Sequence, residues 1–304
     1  MKITITGATG LIGKKLVQKL AAQNHEISVL TRNIEKAKSI LPQINSFTEW
    51  DYNKQDGGWI DVISQSDVVI HLAGENIMAK RWNKDHKYAI RNSRVEGTKN
   101  IVRAIENSDK RPKVFISASA VGYYGNVEFG KVDEEKTAGD DFLARVTDEW
   151  ETSSKKIDEL GIRRVCVRLG LVLDKNEGAL AKMLPVFKLG MGGKISKGSQ
   201  YWSWIHVDDV VSVFLEIINN ENLKGAINCT APNPVTNKKF TKILGAVLGK
   251  PALFPVPKKI IKAVLGEGSE AVLSGVCAVP KKLLDNGFKF KFENLEDALK
   301  DLLK

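Results

Sequence analysis

Gly7, Gly10 and Gly13 fall three residues apart in the run Gly7-Ala8-Thr9-Gly10-Leu11-Ile12-Gly13. The β-rich segment Lys2–Thr6 leads directly into it, and Leu11, Ile12, Leu16, Val17, Leu20 and Ala21 follow at helical spacing. A strand, a glycine turn and a helix in succession suit an anion, because a helix N-terminus offers unpaired N–H groups and a partial positive charge. Glycines allow the sharp turn, the close approach of a ligand and tight packing of helix on strand. The chemistry indicated is binding of a nucleotide pyrophosphate by Gly7, Thr9, Gly10, Leu11, Ile12 and Gly13. The plain alternative is a glycine turn at an ordinary strand–helix junction, and the flanking strand and helix argue against it.

The second strand ends Val29-Leu30-Thr31-Arg32-Asn33, with no acid to bind ribose hydroxyls and an arginine in that place. A guanidinium matches a phosphate in charge and fork geometry. Thr31 and Arg32 therefore predict NADP (NADPH) rather than NAD, with Arg32 on the 2′-phosphate; a solvated arginine at a strand end is the alternative. Asp51, after the third strand, either bonds an adenine amino group or caps the next turn. His71-Leu72-Ala73-Gly74 closes the fourth strand with small residues that let backbone lie against a cofactor, and Ser117 in the fifth strand joins that set. His71 itself reads as a buried, satisfied histidine.

These residues need a scaffold, and the pattern supplies one. Strand-like segments at Lys2–Thr6, Glu26–Thr31, Phe47–Trp50, Val68–Leu72, Val114–Ser119 and Arg163–Gly170 alternate with helix-length segments, notably Asp85–Glu106 and Asp141–Leu160. Such alternation predicts an α/β fold, a doubly wound parallel sheet with ligand at the carboxyl ends of its strands. After about residue 174 the rhythm breaks. Glu177–Gly190 and Val210–Ile218 read as helices and Ala226–Cys229 as a return to the sheet. From about 236 the chain turns helical and lysine-rich. The expected division is a nucleotide-binding domain of 1–174 plus about 205–235, and a smaller, mainly helical lobe of 175–204 plus 236–304.

Bulk properties narrow the class further. In 304 residues, 43% hydrophobic and 27% charged, there is no apolar run long enough to span a bilayer. Cys166, Cys229 and Cys277 lie far apart and odd in number, which predicts buried thiols in a reducing compartment and neither disulfides nor a metal site. The strand begins at once after Met1, without a signal peptide, and the expected location is cytoplasmic. The net charge of +10 is not interleaved with aromatics in the manner of a nucleic-acid surface. The expected partner is a small molecule, with neither nucleic acid nor membrane.

Taken together, the chain resembles the extended short-chain dehydrogenase/reductase superfamily, with its NAD(P)-binding Rossmann fold. Thr6–Gly13, His71–Gly74, Val95-Glu96-Gly97-Thr98, Ser117-Ala118-Ser119-Ala120 and Ile205-His206-Val207-Asp208-Asp209 carry that match. More closely it resembles the atypical subgroup of epimerase family proteins, through Leu72–Ile77, Arg81-Trp82, Ser93-Arg94, Asp148-Glu149-Trp150-Glu151 and Ser203–His206. The tail from about Pro251 resembles that subgroup's C-terminal domain of unknown function.

The resemblance implies a catalytic serine, here Ser119, and a Tyr-x-x-x-Lys pair on a helix, one turn apart. With the helix anchored on Glu151, the pair falls on Leu143 and Thr147, or one residue earlier on Phe142 and Val146. None of these moves a proton, and the superfamily's asparagine is replaced by Arg94. Replacement acid/base or substrate-orienting groups are sought among Glu75, Arg81, Arg94, Tyr123, Tyr124 and His206. Tyr123 and Tyr124 could instead be packing, and Glu75 could pair with Arg81 or Arg94. Trp202 and Trp204 are pocket walls or core, and His206 and Asp208 join the lobes. The reading is an NADP-binding oxidoreductase or epimerase-like protein, with an anionic group on its substrate suggested by Arg94 and a homodimer implied by the superfamily. The alternative is a nucleotide-binding sensor or scaffold without turnover.

Overall fold

The computed structural model describes residues 1–304. In chain order the first half runs β1 (Lys2–Thr6), α1 (Leu11–Ala22), β2 (Glu26–Thr31), α2 (Ile34–Ile40), β3 (Ser46–Glu49), α3 (Trp59–Ser64), β4 (Val68–His71), α4 (Lys84–Glu106) and β5 (Val114–Ala120). Then come β6 (Lys131–Val132), α5 (Phe142–Thr152), α6 (Lys156–Glu159), β7 (Arg163–Leu169), β8 (Leu171–Leu173), α7 (Gly178–Lys188), β9 (Tyr201–Trp202), β10 (Trp204–His206), α8 (Val207–Asn219) and β11 (Gly225–Cys229). The chain continues through β12 (Val235–Thr236), α9 (Asn237–Val247), α10 (Lys258–Leu265), α11 (Glu270–Leu273), β13 (Cys277–Ala278), α12 (Lys281–Asp285) and α13 (Leu295–Leu303).

Seven strands form one parallel sheet in the order β11-β7-β5-β4-β1-β2-β3. From β1 the chain moves outward to β2 and β3, then crosses back to β4 on the other side. This makes the carboxyl end of β1 the switch point where such sheets bind ligands. All four residues of β4 are buried, as expected of a strand covered on both faces. One apolar cluster joins the sheet to α1 and α8 through Leu16, Val17, Val210 and Phe214. A second joins its other face to α3 and α4 through Trp59, Ile63, Ile101 and Ile105. Each fully buried aliphatic side chain contributes about 1.5–3 kcal/mol.

Where element bounds differ from the sequence reading, side-chain hydrogen bonds account for it. The segment 141–160 is two helices, because Ser153 and Ser154 turn their hydroxyls back to the carbonyls of Trp150 and Glu151. Helix α8 starts at Val207 rather than Val210 because the His206 ring accepts the Asp208 N–H and so caps it.

The smaller lobe packs α7, α9 and α13 around Trp204, Phe240, Leu244 and Leu299. Trp204 is therefore core, and Trp202 packs edge-on against Phe240 at 5.1 Å. Main-chain bonds stitch the C-terminal segment to the rest. The Asp209 carboxylate accepts the N–H groups of Lys291 (2.8 Å) and Phe292 (3.0 Å). Ser203 Oγ donates to the Val276 carbonyl and accepts the Ala278 N–H. His206 stacks on Phe292 at 4.0 Å and so ties the end of β10 to the C-terminal segment.

Candidate functional site

The switch point is built from glycines whose missing side chains are required. Gly7 has φ +68°, and a Cβ there would stand 2.7 Å from Ala73 N. A Cβ at Gly13 would stand 2.6 Å from Ala8 Cα and closer still to the Gly7 carbonyl. Gly10 donates to the Gly7 carbonyl at 3.1 Å and is otherwise open to solvent. Helix α1 then begins with no side-chain cap and no acid in its first turn. Its first N–H groups, on Leu11, Ile12 and Gly13, have no partner within the helix. The cradle fits a pyrophosphate in shape and in sign.

Behind the turn, Thr6 Oγ1 lies 2.7 Å from His71 Nδ1 and accepts the Ala73 N–H at 3.2 Å. This locks Leu72-Ala73-Gly74 against the glycine loop. His71 is fully buried with Trp50 edge-on to its ring. Burial, reinforced by the charge of Arg94, pulls its pKa down to about 4, so the ring is neutral near pH 7. Its folded pKa thus lies below the unfolded value of 6.5. Between those two values the unfolded chain binds the extra proton. The stability contributed by His71 is full above pH 6.5 and falls as pH drops toward 4, by about 3 kcal/mol. Urea unfolding at pH 7 and pH 4.5 should show this acid-limb loss, and His71→Asn should flatten it.

At the end of β2, Arg32 is exposed and makes no hydrogen bond or ion pair within the chain, while Thr31 Oγ1 accepts the Asn33 N–H. Asp51 Oδ1 caps its own turn, accepting from Asn53 N and Nδ2. Ser117 is buried in β5 with its hydroxyl toward Cys166 Sγ.

The turn after β4 is held from α4. Ser93 Oγ accepts the Glu75 N–H at 2.9 Å, and Arg94 Nη1 donates to the carbonyls of Glu75 and Ile90. The Arg94 guanidinium lies over the Trp150 ring, and burial lowers its pKa to about 10, which leaves it charged at neutral pH. Trp82 Nε1 donates to the Ile77 carbonyl. These bonds tie Glu75 to Ser93 and Arg94, and Ile77 to Trp82. The Glu75 carboxylate forms no ion pair with either Arg81 or Arg94, which removes that alternative, and its main chain is clamped by Ser93 and Arg94 instead. Arg81 instead abuts Gly266.

Across the sheet edge, Ser119 is buried and donates to Glu151 Oε1 at 2.6 Å. Arg168 grips the same carboxylate with Nε and Nη2, each at 2.8 Å. Its Nη1 donates to Tyr124 Oη, which donates to Asn228 Oδ1 at 2.7 Å. The Asn228 N–H then reaches Glu134. Burial opposes the charge on Arg168, but Glu151 outweighs it and raises the guanidinium's pKa. Burial also pushes Tyr124 up to about 12 and Glu134 above the usual carboxylate range. Tyr124 is therefore a buried network member. Tyr123, half-buried, lies with its ring face 3.5 Å from the Arg168 guanidinium and its hydroxyl unbonded within the chain. Leu143 packs near Gly122, and Thr147 donates to the Leu143 carbonyl. Helix α5 contains neither tyrosine nor lysine.

Sequence reasoning thus placed the glycine loop, residues 72–74 and Arg32 at one sheet edge. It missed Arg168, Asn228 and Glu134, and used Glu151 only as a landmark. The available signal was Arg168 itself, a charge that follows the apolar run Val165-Cys166-Val167 near the carboxyl end of β7. His206, Asp208 and Asp301 also cluster, but His206 Nδ1 accepts the Asp208 N–H. The neutral ring then carries its proton on Nε2, 3.3 Å from Asp301, and a protonated nitrogen offers no lone pair to a metal.

The profile of the NAD dependent epimerase/dehydratase family matches residues 3–229, and that of a domain of unknown function (DUF1731) matches residues 256–302. The chain is 42% identical over its whole length to the Arabidopsis thaliana protein named epimerase family protein SDR39U1 homolog, chloroplastic, covering 87% of that protein. It is 37% identical to epimerase family protein SERP0438 of Staphylococcus epidermidis, covering 99% of this chain and 98% of that one. The crystal structure of human epimerase family protein SDR39U1 (isoform 2) with NADPH superimposes with TM-score 0.88 at 30% identity, over 99% of both chains. No helix in this chain is long and apolar enough to cross a membrane.

Proposed function

Because the chain belongs to the NAD-dependent epimerase/dehydratase family, we propose that it is an NADP-dependent oxidoreductase acting on a carbonyl or enone of a small molecule. The observation that carries this reading is the glycine cradle closed on residues 72–74, with an unpaired Arg32 in place of the usual acid. The NADPH-bound human relative supports the same nucleotide. The backbone of residues 7–13 would hold the pyrophosphate and Arg32 the 2′-phosphate. Asp51, occupied with its own turn, has less to offer an adenine. When bound, the nucleotide supplies two-electron redox chemistry at its nicotinamide ring.

The chain's own groups do the rest. Arg94 fixes the turn that presents Glu75, and its retained positive charge favours an anionic substrate group nearby. Tyr123, with its hydroxyl unbonded in the chain, is the proton donor to the substrate oxygen, and Arg168 beneath the ring fixes its orientation. Ser119 is committed to Glu151 and acts by holding that network. A conventional sugar-nucleotide epimerase is disfavoured, since removal of a hydroxyl proton needs the base that α5 lacks. The same lack favours the second reading, a nucleotide sensor without turnover.

Titration of NADPH and NADH into nucleotide-free protein, followed by nicotinamide fluorescence, tests the first reading. Selective NADPH binding is expected, and binding of neither nucleotide would sink it. Arg32→Asp should cut the NADPH/NADH affinity ratio by roughly 100-fold, the loss of one charge-assisted phosphate contact plus the added repulsion. An unchanged ratio removes Arg32 from the site. Oxidation of NADPH by a carbonyl panel, lost in Tyr123→Phe, separates the enzyme from the sensor.

A further inference from the structure

The net charge of +10 is concentrated in two stretches of the chain. Residues 178–207 and 222–266 contain twelve lysines and no Asp, Glu or Arg. Outside these stretches acids outnumber bases, 36 to 34. None of the twelve lysines forms an ion pair within the chain, whereas most of the bridging cations elsewhere are lysines too.

The two stretches meet in the smaller lobe. Phe254 N donates to Gly192 O, Val256 N to Lys194 O and Ser196 N to Val256 O, at 2.9–3.1 Å. Helix α10 starts immediately after this contact and buries none of its residues. Leu189, Met191, Leu253, Phe254, Ile260 and Val264 are exposed, from 52% for Ile260 to 77% for Leu253. Ile260 and Val264 stand one turn apart on α10, with Lys259 and Lys262 beside them. Apolar side chains at this exposure, among unpaired lysines, mark a contact surface.

We infer that this face binds the surface of an anionic lipid bilayer, as a peripheral contact. The expectation of no membrane rested on the lack of a spanning run, which says nothing of a surface that lies on a membrane. Charge complementarity selects an anionic partner, since no acid of these stretches offsets the lysines. The chemistry of the patch selects lipid. Nucleic acid is gripped by arginine forks and stacked on aromatic rings. Here arginine is absent, and five of the six exposed apolar residues are aliphatic, suited to the acyl boundary. A second copy of the chain would set lysine against lysine.

Co-sedimentation of the full chain with vesicles of phosphatidylcholine alone, or mixed with phosphatidylglycerol, tests this. Binding only to the mixed vesicles, weakened by salt, is the expected result. Phe254→Ser and Ile260→Ser should each weaken partitioning roughly ten-fold, and Lys259→Glu by a similar factor. Thermal midpoint and NADPH affinity should stay unchanged, because these side chains are exposed and lie outside the nucleotide cradle. No co-sedimentation, or binding indifferent to salt and to all three variants, overturns the inference. So does indifference to vesicles accompanied by binding to duplex RNA, or by a concentration-dependent dimer that Ile260→Ser dissociates.

Discussion

Glu151→Ala is expected to cost about 3–5 kcal/mol of folding stability, the range for breaking a buried ion pair by removing one partner. The Arg168 side chain is only 4% exposed and would be left charged with neither of its carboxylate bonds. Ser119 would lose its acceptor at the same time. Urea denaturation gives the number directly. Glu151→Gln should cost less, since an amide oxygen still accepts from Ser119 or Arg168. The paired replacement Glu151→Leu with Arg168→Met should recover much of the loss, because no lone charge is then buried. A loss below 1 kcal/mol for Glu151→Ala would mean that water reaches Arg168 and that the network is not sealed.

Gly13→Ala is expected to destabilise the chain by about 1–3 kcal/mol, the usual cost of overpacking, and to abolish measurable NADPH binding. Alanine normally favours a helix interior over glycine. Here the added methyl meets backbone of Gly7 and Ala8, which cannot rotate away as a side chain would. Gly10→Ala separates the two effects. A Cβ there meets only the Gly7 carbonyl, at an ordinary 3.4 Å, so the fold should survive. The methyl would still stand where a pyrophosphate approaches, and NADPH affinity should fall sharply with the thermal midpoint nearly unchanged. If Gly10→Ala binds NADPH normally, the nucleotide does not lie on this loop.

The N-terminal sheet was legible because its strands are short apolar runs separated by helical periodicity, a signal carried by local sequence alone. The glycine turn was legible because steric demand leaves no substitute at Gly7 and Gly13. The network around Arg168 was not, because it joins Ser119, Tyr124, Glu134, Glu151, Arg168 and Asn228 from separate elements. No local pattern encodes such pairing. Tyr124 illustrates the point: adjacent to Tyr123 in sequence, it is buried on Arg168 and Asn228, while Tyr123 keeps a free hydroxyl. The small strands β6, β9, β12 and β13 also escaped, since two residues carry no periodicity.

The stitching of the C-terminal segment has a consequence for biosynthesis. Leu283 and Phe290 complete the apolar cluster of the main sheet, and Leu295, Leu299 and Leu302 complete that of the lobe. These residues emerge from the ribosome after every partner they cover. Until then Trp204, Phe240 and Leu244 wait without their lid, and the Asp209 carboxylate lacks its two N–H donors. The nascent chain therefore passes through an interval in which nucleotide-binding strands can be paired while the lobe still shows apolar surface. That interval is when the protein most needs a chaperone, and when a stalled or truncated chain is most exposed to proteolysis.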